Sequence, residues 1–264
     1  MSSHCILERV AETESTNDDL MARWRAGELI DPIARLAQNQ TAGKGRAGRS
    51  WLASPEDSLC FSLAYPFQRK LADLSGLSLL AGLAVISGIS KALNLSEDIL
   101  HQRGLRLKWP NDLLLNQGKL GGILIEGGQT KIGDPSWMII GIGINLQNAQ
   151  AFNEALQQEY PITTLDQLLN PQEIVPDAEW IWLKMVEELE SVLSQFDQAG
   201  FSQYQKLWMH WDAYQNHPVR ITGAGQEAIE GIARGIDASG ALRLETEEKM
   251  ISIHAGDVSL RITK

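Results

Sequence analysis

Between Gln40 and Trp51 the chain reads Q-T-A-G-K-G-R-A-G-R-S-W, which sets Lys44, Arg46 and Arg49 among three glycines. No Asp or Glu occurs between Pro32 and Pro55, although the formal net charge of the whole chain is -10. Glycine permits left-handed turns and close backbone approach, and Lys and Arg supply charge-assisted donors, so such a loop can wrap an anion. Gly43, Gly45 and Gly48 formally satisfy G-x-G-x-x-G, but a dinucleotide fingerprint must also open a helix. Here Arg49, Ser50 and Trp51 lead on to Pro55, a poor helix start, and no Gly-Lys-Ser/Thr stands at the distance a Walker loop requires. What is left is an anion-binding flap or an exposed turn with solvated charges, and the loop alone does not separate the two.

Two further constellations carry polar groups at the ends of apolar runs. Lys108-Trp109-Pro110-Asn111-Asp112 precedes Gly118-Lys119-Leu120-Gly121-Gly122-Ile123-Leu124-Ile125-Glu126. Alone, W-P-N-D is a turn with an Asx bond. Lys119, beside a glycine at the head of an apolar strand, can aim a partly desolvated ammonium at an anionic group. In Gly141-Ile142-Gly143-Ile144-Asn145-Leu146 the glycines leave room either for a flat ligand or for a closely packed helix, and Asn145 offers both a donor and an acceptor. The five histidines lie outside these motifs, so a histidine-dependent acyl transfer is not indicated. Cys5 and Cys60 form no metal-ligand spacing, which argues against a disulfide framework or structural zinc and for a reducing cytoplasm.

With 264 residues, 44% of them hydrophobic, the chain can bury a large core and add a small second domain. The acidic balance denies it the basic footprint that general nucleic-acid binding needs. No run approaches the roughly 18 apolar residues of a membrane span, and no export signal is present. The expectation is a soluble cytoplasmic protein with no nucleic-acid or membrane partner.

The elements that must position the motifs follow from periodicity. Ser15-Thr16-Asn17-Asp18-Asp19 reads as a capped helix start. Strands are predicted over 33–37, 58–64, 105–109, 120–126 and 137–146, with a turn at Pro110, Asn111 and Asp112. A small-residue helix is predicted over 73–95 and an amphipathic one over 177–198, followed by a second amphipathic stretch over 201–214. Beyond Asn216 short alternating runs at 219–221, 228–235, 241–244, 250–253 and 258–262 suggest a five-strand barrel or sandwich. The division expected is a catalytic domain over 1–214 and a small domain over 215–264.

In order, S-T-N near the start, Q-T-A-G-K-G-R-A-G-R-S-W, K-W-P-N-D, G-K-L-G-G-I-L-I-E, G-I-G-I-N-L and a terminal G-I-D-x-x-G-A-L with V-S-L-R strongly resemble the biotin protein ligases across nearly the whole chain. The resemblance implies an α+β fold: a class II synthetase-like mixed β-sheet flanked by helices, then a small C-terminal SH3-like β-barrel. It implies that biotin and ATP give biotinyl-5'-adenylate and pyrophosphate, with Mg2+ assisting. A specific lysine of the biotin carboxyl carrier protein of acetyl-CoA carboxylase then takes the biotin. By motif position Ser15, Thr16, Asn17 and Gln40 would bind the biotin head group, and Lys44, Gly45 and Arg46 would close over its tail. Lys119 would face the carboxylate and phosphate oxygens, so Lys119 and Arg46 are the catalytic candidates. Arg46, Arg49, Trp51, Asn111, Asp112 and Asn145 would be the nucleotide-side contacts. Asp112 could hold the metal or assist the attacking amine, and a homodimer is left open.

Two departures from the pattern bear on this. Many members of the family have Arg where Lys44 stands, which puts any bidentate contact there in question. Others carry an N-terminal winged helix-turn-helix, whereas only 14 residues precede Ser15, so no transcriptional role is expected. The rivals are a lipoate or octanoate protein ligase of the same fold and a biotin-responsive repressor. The basic loop combined with K-W-P-N-D disfavours the first, and the missing DNA-binding module with the acidic charge disfavours the second.

Overall fold

A computed structural model describes residues 5–131, 133–156, 161–223, 226–256 and 258–263. The chain runs through β1 (Ile6–Thr13), α1 (Thr16–Arg25), β2 (Ile33–Gln40), β3 (Ser58–Phe67), α2 (Leu77–Leu93), α3 (Glu97–Gln102), β4 (Leu105–Lys108) and β5 (Asp112–Leu115). It continues through β6 (Gly118–Gly128), β7 (Ser136–Asn145), α4 (Ala149–Leu156), α5 (Ala178–Ala199) and α6 (Gln205–Trp211). The last strands are β8 (Pro218–Gly223), β9 (Gln226–Ile236), β10 (Leu242–Glu245), β11 (Met250–Ile253) and β12 (Val258–Ile262).

Seven strands form one mixed sheet in the order β1-β2-β3-β7-β6-β5-β4, with β1 and β2 parallel and the remaining neighbours antiparallel. Alternation along β3 and β7 decides which face does what. Leu59, Phe61, Leu63, Ile140, Ile142 and Ile144 belong to the main core, with residues of α2 and α5. The opposite face is covered by α1 at one end only, where Leu20 and Met21 pack on Ala64 and Ile139. The rest of that face carries mostly small residues, with Leu124 and Asn145 among them, and Trp51 lies against its glycines.

Several elements depart from the sequence expectation for local reasons. The helix expected from residue 73 begins at Leu77, because Gly76 adopts φ 84° and Asp73 falls in a 3-10 turn. Strand β1 has no clean apolar alternation since it is a half-exposed sheet edge. Strand β5 is four residues that begin at the Asp of W-P-N-D, and α3 is a single short helix capped by Ser96. Along α2, Gly88 lets α5 approach closely, since a Cβ there would stand 2.7 Å from Met185 Cα. The stretch over 201–214 contains a 3-10 turn and α6.

The second sheet, β11-β10-β9-β8-β12, is the five-strand antiparallel SH3-like unit. A unit of this size buries too little to stand well alone, and it is tied to the first sheet. Trp109 Nε1 donates to the Gly240 carbonyl at 3.1 Å, Ser75 Oγ to Ser239 at 2.7 Å and Gln205 Nε2 to Ile236 at 2.7 Å. Among the described residues no helix is long and apolar enough to cross a membrane.

Asp212 lies at the connection between the two units. Its Oδ1 accepts from the Tyr214 amide at 3.0 Å, while Oδ2 is buried without a hydrogen-bond partner among the described residues. Burial pushes the carboxyl up to about 6, against the pull of that amide and of His217. A carboxyl raised on folding contributes stability that is full below its unfolded value and lost as pH rises through about 6. Asp212→Asn is therefore expected to stabilise the fold at about pH 7.5, by an amount on the order of 1–3 kcal/mol, and to give no gain near pH 4. Thermal unfolding at both values checks this; the same gain at both would contradict it.

Candidate active site

The open part of the sheet face is floored by small residues. Cys60 pairs with Gly143, Ser62 with Gly141, and Gly122 with Gly143, so these residues point to one side. Above this floor lies a cavity of about 470 Å³. All thirteen residues singled out from sequence line it: Ser15, Thr16, Asn17, Gln40, Lys44, Gly45, Arg46, Arg49, Trp51, Asn111, Asp112, Lys119 and Asn145.

One end is neutral and rich in hydrogen-bonding groups. Ser15 caps α1 by accepting from the Asp18 amide at 3.4 Å, which brings Thr16 and Asn17 into the first buried turn. The Thr16 amide donates to Gln40 Oε1 at 3.0 Å, and the Thr16 and Ser62 hydroxyl oxygens are 2.7 Å apart. Asn17 uses both ends of its amide within the protein, accepting from Ser62 at 2.9 Å and donating to Glu126 at 2.7 Å. It therefore stands behind Ser62 as a strut, while Thr16, Ser62 and Gln40 face the space.

The other end is cationic. Both oxygens of Asp112 are engaged by lysines, Lys119 Nζ at 2.9 Å from Oδ1 and Lys108 Nζ at 3.1 Å from Oδ2. Burial pushes the Asp112 carboxyl up, but the two ammonium groups overcome it and hold the carboxyl at about 2. Burial lowers the Lys108 ammonium, and Asp112 opposes that shift. A carboxylate held at about 2 is a poor general base near neutral pH. It serves better as the counter-charge that points Lys119 into the cavity. Asp112 is also the one acidic residue on the described wall, and no group of three or more His, Cys, Asp or Glu that could hold a metal occurs among the described residues. A resident magnesium wants a near-octahedral oxygen set, and a single carboxylate already bridging two ammoniums does not make one.

The glycine loop closes over the top as a tight turn. Trp51 N donates to the Gly43 carbonyl at 2.8 Å and Gly45 N to the Arg49 carbonyl at 2.7 Å, with a 3-10 turn over Arg46–Gly48 rather than a helix start. Lys44 Nζ pairs with Asp18 at 2.6 Å, so a single ammonium meets the loop's partner on α1 without a bidentate guanidinium. Both side chains are well exposed, and the pair contributes little to stability. Arg46 donates to Asn111 Oδ1 at 2.9 Å and to the carbonyl of Gly256, in the loop between β11 and β12. Asn111 is held for this by donating Nδ2 to the Ile123 carbonyl at 2.7 Å. Asn145 gives its amide hydrogens to the Lys119 and Thr163 carbonyls, at 3.2 and 3.3 Å, which leaves Oδ1 as the atom that can meet a ligand.

Trp51 rests on Gly143, where a Cβ would lie 2.4 Å from the indole, and Lys119 Nζ is 5.5 Å from the centre of the same ring. Gly143→Ala is expected to cost about 1–3 kcal/mol of stability through overpacking. Trp51→Ala in the same background should recover most of it, measured by denaturant unfolding. An equal cost in both backgrounds would contradict the contact.

Ser62, Phe152 and Arg261 also line the cavity and were not among the expected site residues. Ser62 was open to detection, since Ser58, Cys60, Ser62 and Ala64 put only small side chains on one face of a strand whose other face is Leu59, Phe61 and Leu63. Arg261 comes from β12 and had a signal only in the terminal V-S-L-R. Burial pushes the Cys60 thiol up to about 12 despite the help of Trp51, which works against the thiolate form.

The chain matches the biotin/lipoate A/B protein ligase family over residues 10–145 and the biotin protein ligase C-terminal domain over residues 216–261. It is 34% identical over 248 residues to the bifunctional ligase/repressor BirA of Salmonella typhimurium, covering 94% of this chain and 72% of that protein. It is 33% identical over 253 residues to the biotin (acetyl-CoA-carboxylase) ligase of Mycobacterium tuberculosis, covering 96% and 88%. Among solved structures, the biotin protein ligase of Aquifex aeolicus in complex with biotin and ATP aligns with a TM-score of 0.78 and 26% identity, over 98% of this chain and 99% of that one.

Proposed function

The chain belongs to the biotin/lipoate A/B protein ligase family, on its biotin-ligase side, and from that premise we propose an ATP-dependent biotin protein ligase acting in the cytoplasm on a biotin carboxyl carrier protein. In the first step a biotin carboxylate oxygen attacks the α-phosphorus of ATP; the new bond is the mixed anhydride and pyrophosphate leaves. In the second, the carrier lysine amine attacks the anhydride carbonyl, the amide forms and AMP leaves with the P–O bond intact. Both steps gather negative charge, which preorganised cations stabilise most in a water-poor cavity.

The roles follow from position. Thr16, Gln40 and Ser62, with Ser15 and Asn17 holding their turn, receive the biotin head group. Gly45 and Trp51 cover the tail, and Lys119 meets the oxygens that pass from carboxylate to anhydride. Lys44, held by Asp18 of α1, closes the loop over the biotin side, and Arg46, Arg49, Asn111, Asn145 and Arg261 form the nucleotide end. Asp112 orients Lys119, and Mg2+ would come as part of the ATP substrate, supplying charge neutralisation there. The catalytic unit is taken as 1–214 and the small domain as 215–264. A net charge of -10 provides no general footprint for nucleic acid.

The observation that carries the reading is the convergence on one cavity of a neutral hydrogen-bonding end and a lysine-rich end, joined by a floor of glycine, serine and cysteine. Exchange of labelled pyrophosphate into ATP tests it. Exchange that requires biotin and ignores lipoate is expected, and exchange driven by lipoate alone would replace it with the lipoate-ligase alternative.

A further inference from the structure

One buried hydrogen-bond chain begins at a carboxylate outside the cavity. Glu126, near the end of β6, does not line the cavity, yet its Oε2 accepts from Asn17 Nδ2 at 2.7 Å. Asn17 Oδ1 accepts from the Ser62 hydroxyl at 2.9 Å, and Ser62 Oγ is 2.7 Å from Thr16 Oγ1. Asn17, Ser62 and Thr16 are 3%, 0% and 3% exposed, so the inner links are shielded from bulk water, while Glu126 itself is half-buried and borders the adjoining pocket under the glycine loop. Gly141 keeps its slot open, because a Cβ there would stand 2.5 Å from Asn17 Oδ1.

The direction of every bond follows from the carboxylate. An ionised carboxylate only accepts, so the Asn17 amide must turn its NH2 to Glu126 and its oxygen to Ser62. Ser62 has one proton, and it lies on Asn17. The short contact with Thr16 is then filled by the Thr16 proton, although Gln40 Oε1 also stands 3.2 Å from that hydroxyl. Thr16 and Ser62, both on the cavity wall, are then left with acceptor lone pairs and no spare proton for a ligand. Gln40, whose oxygen takes the Thr16 amide at 3.0 Å, offers its NH2 as a donor. A cyclic urea is the complement of this set, with two N–H donors beside one carbonyl acceptor.

We propose that Glu126 is the positioning residue that sets the hydrogen-bond polarity of the head-group pocket, acting through Asn17 and Ser62, and thereby selects a urea-type ring over a ring without N–H donors. This rests on the reading of that end of the cavity as the biotin head-group site. A competing role is electrostatic, since Glu126 also contributes to the charge felt by Lys44 beside Asp18.

Glu126→Gln keeps an acceptor oxygen and removes the charge, whereas Glu126→Met removes both at similar length. In biotin-dependent pyrophosphate exchange, Glu126→Met is expected to raise the biotin KM about 10- to 100-fold, as when a buried amide loses its defined partner. The KM for ATP and kcat should stay near wild type, which also reports an intact fold. Glu126→Gln should remain within a few-fold of wild type. Desthiobiotin, which retains the urea but lacks the sulfur ring, should lose affinity by the same factor as biotin. In a Ser62→Ala background, where the chain is already cut, Glu126→Met should add nothing.

Equal damage by Glu126→Gln and Glu126→Met would overturn the proposal in favour of the charge role. A full extra loss in the Ser62→Ala background would overturn it as well. Wild-type exchange with a biotin KM unmoved by Glu126→Met would overturn the Glu126 role alone. Absence of exchange in the wild type would overturn it together with the functional reading beneath it.

Discussion

Replacing Lys119 with Ala is expected to slow adenylation by roughly 100-fold or more, about 3 kcal/mol of transition-state stabilisation, while leaving the fold intact. The fold should survive because the backbone contacts at this position do not depend on the side chain, whose own contacts are with Asp112 and the Trp51 ring. Lys119 N donates to the Pro161 carbonyl at 2.8 Å, and its own carbonyl accepts from Thr163 at 3.0 Å. Asp112 is not orphaned by the change, since Lys108 still pairs with it at 3.1 Å. What disappears is the one ammonium of that trio that combines partial exposure with a place on the cavity wall. Pyrophosphate exchange at saturating biotin and ATP measures the loss, and an exchange rate equal to wild type would remove Lys119 from the mechanism.

The second large effect is expected at Arg46. Its guanidinium ties the glycine loop both to Asn111, in the W-P-N-D turn, and to the Gly256 carbonyl in the loop between β11 and β12. Hydrogen bonds from a charged donor contribute about 1.5–3 kcal/mol each. Arg46→Gly unties the loop at both points and adds backbone freedom in a segment that already turns through φ 54° at Ala47. The adenylate should then escape about 10- to 100-fold faster and acylate exposed lysines at random. Biotin incorporated into a bystander protein, in the presence of ATP, reads this out. Labelling of the bystander no greater than with wild type would show that Arg46 does not retain the intermediate.

Much of this site was legible before any coordinates because its residues are concentrated in short runs, each at the end of a strand or the start of a helix. The capped start at Ser15, the flap between Gly43 and Trp51, Lys119 at the head of β6 and the glycines of β7 all arrived where the runs placed them. What escaped was tertiary. Glu126 and Asn17 are 109 positions apart, and nothing local in either run announces their contact. Arg261 reaches the cavity from the last strand, which depends on how the second sheet docks. Of the fold, the long periodic helix α5 and the five short strands after Asn216 were readable. The half-exposed edge strand β1, the short helices α3 and α4 and the four-residue β5 were not, because a sheet edge or a single turn imposes too few burial constraints on its side chains.

The product of the reaction is the decisive quantity for a biotin protein ligase. A biotin carboxyl carrier domain incubated with the protein, biotin and ATP should gain one biotinyl group on a single lysine, with one AMP and one pyrophosphate formed for each group transferred, as followed by mass spectrometry and nucleotide analysis. A carrier that stays unmodified while ATP is consumed, or that gains a lipoyl group and no biotin when both acids are supplied, would contradict it.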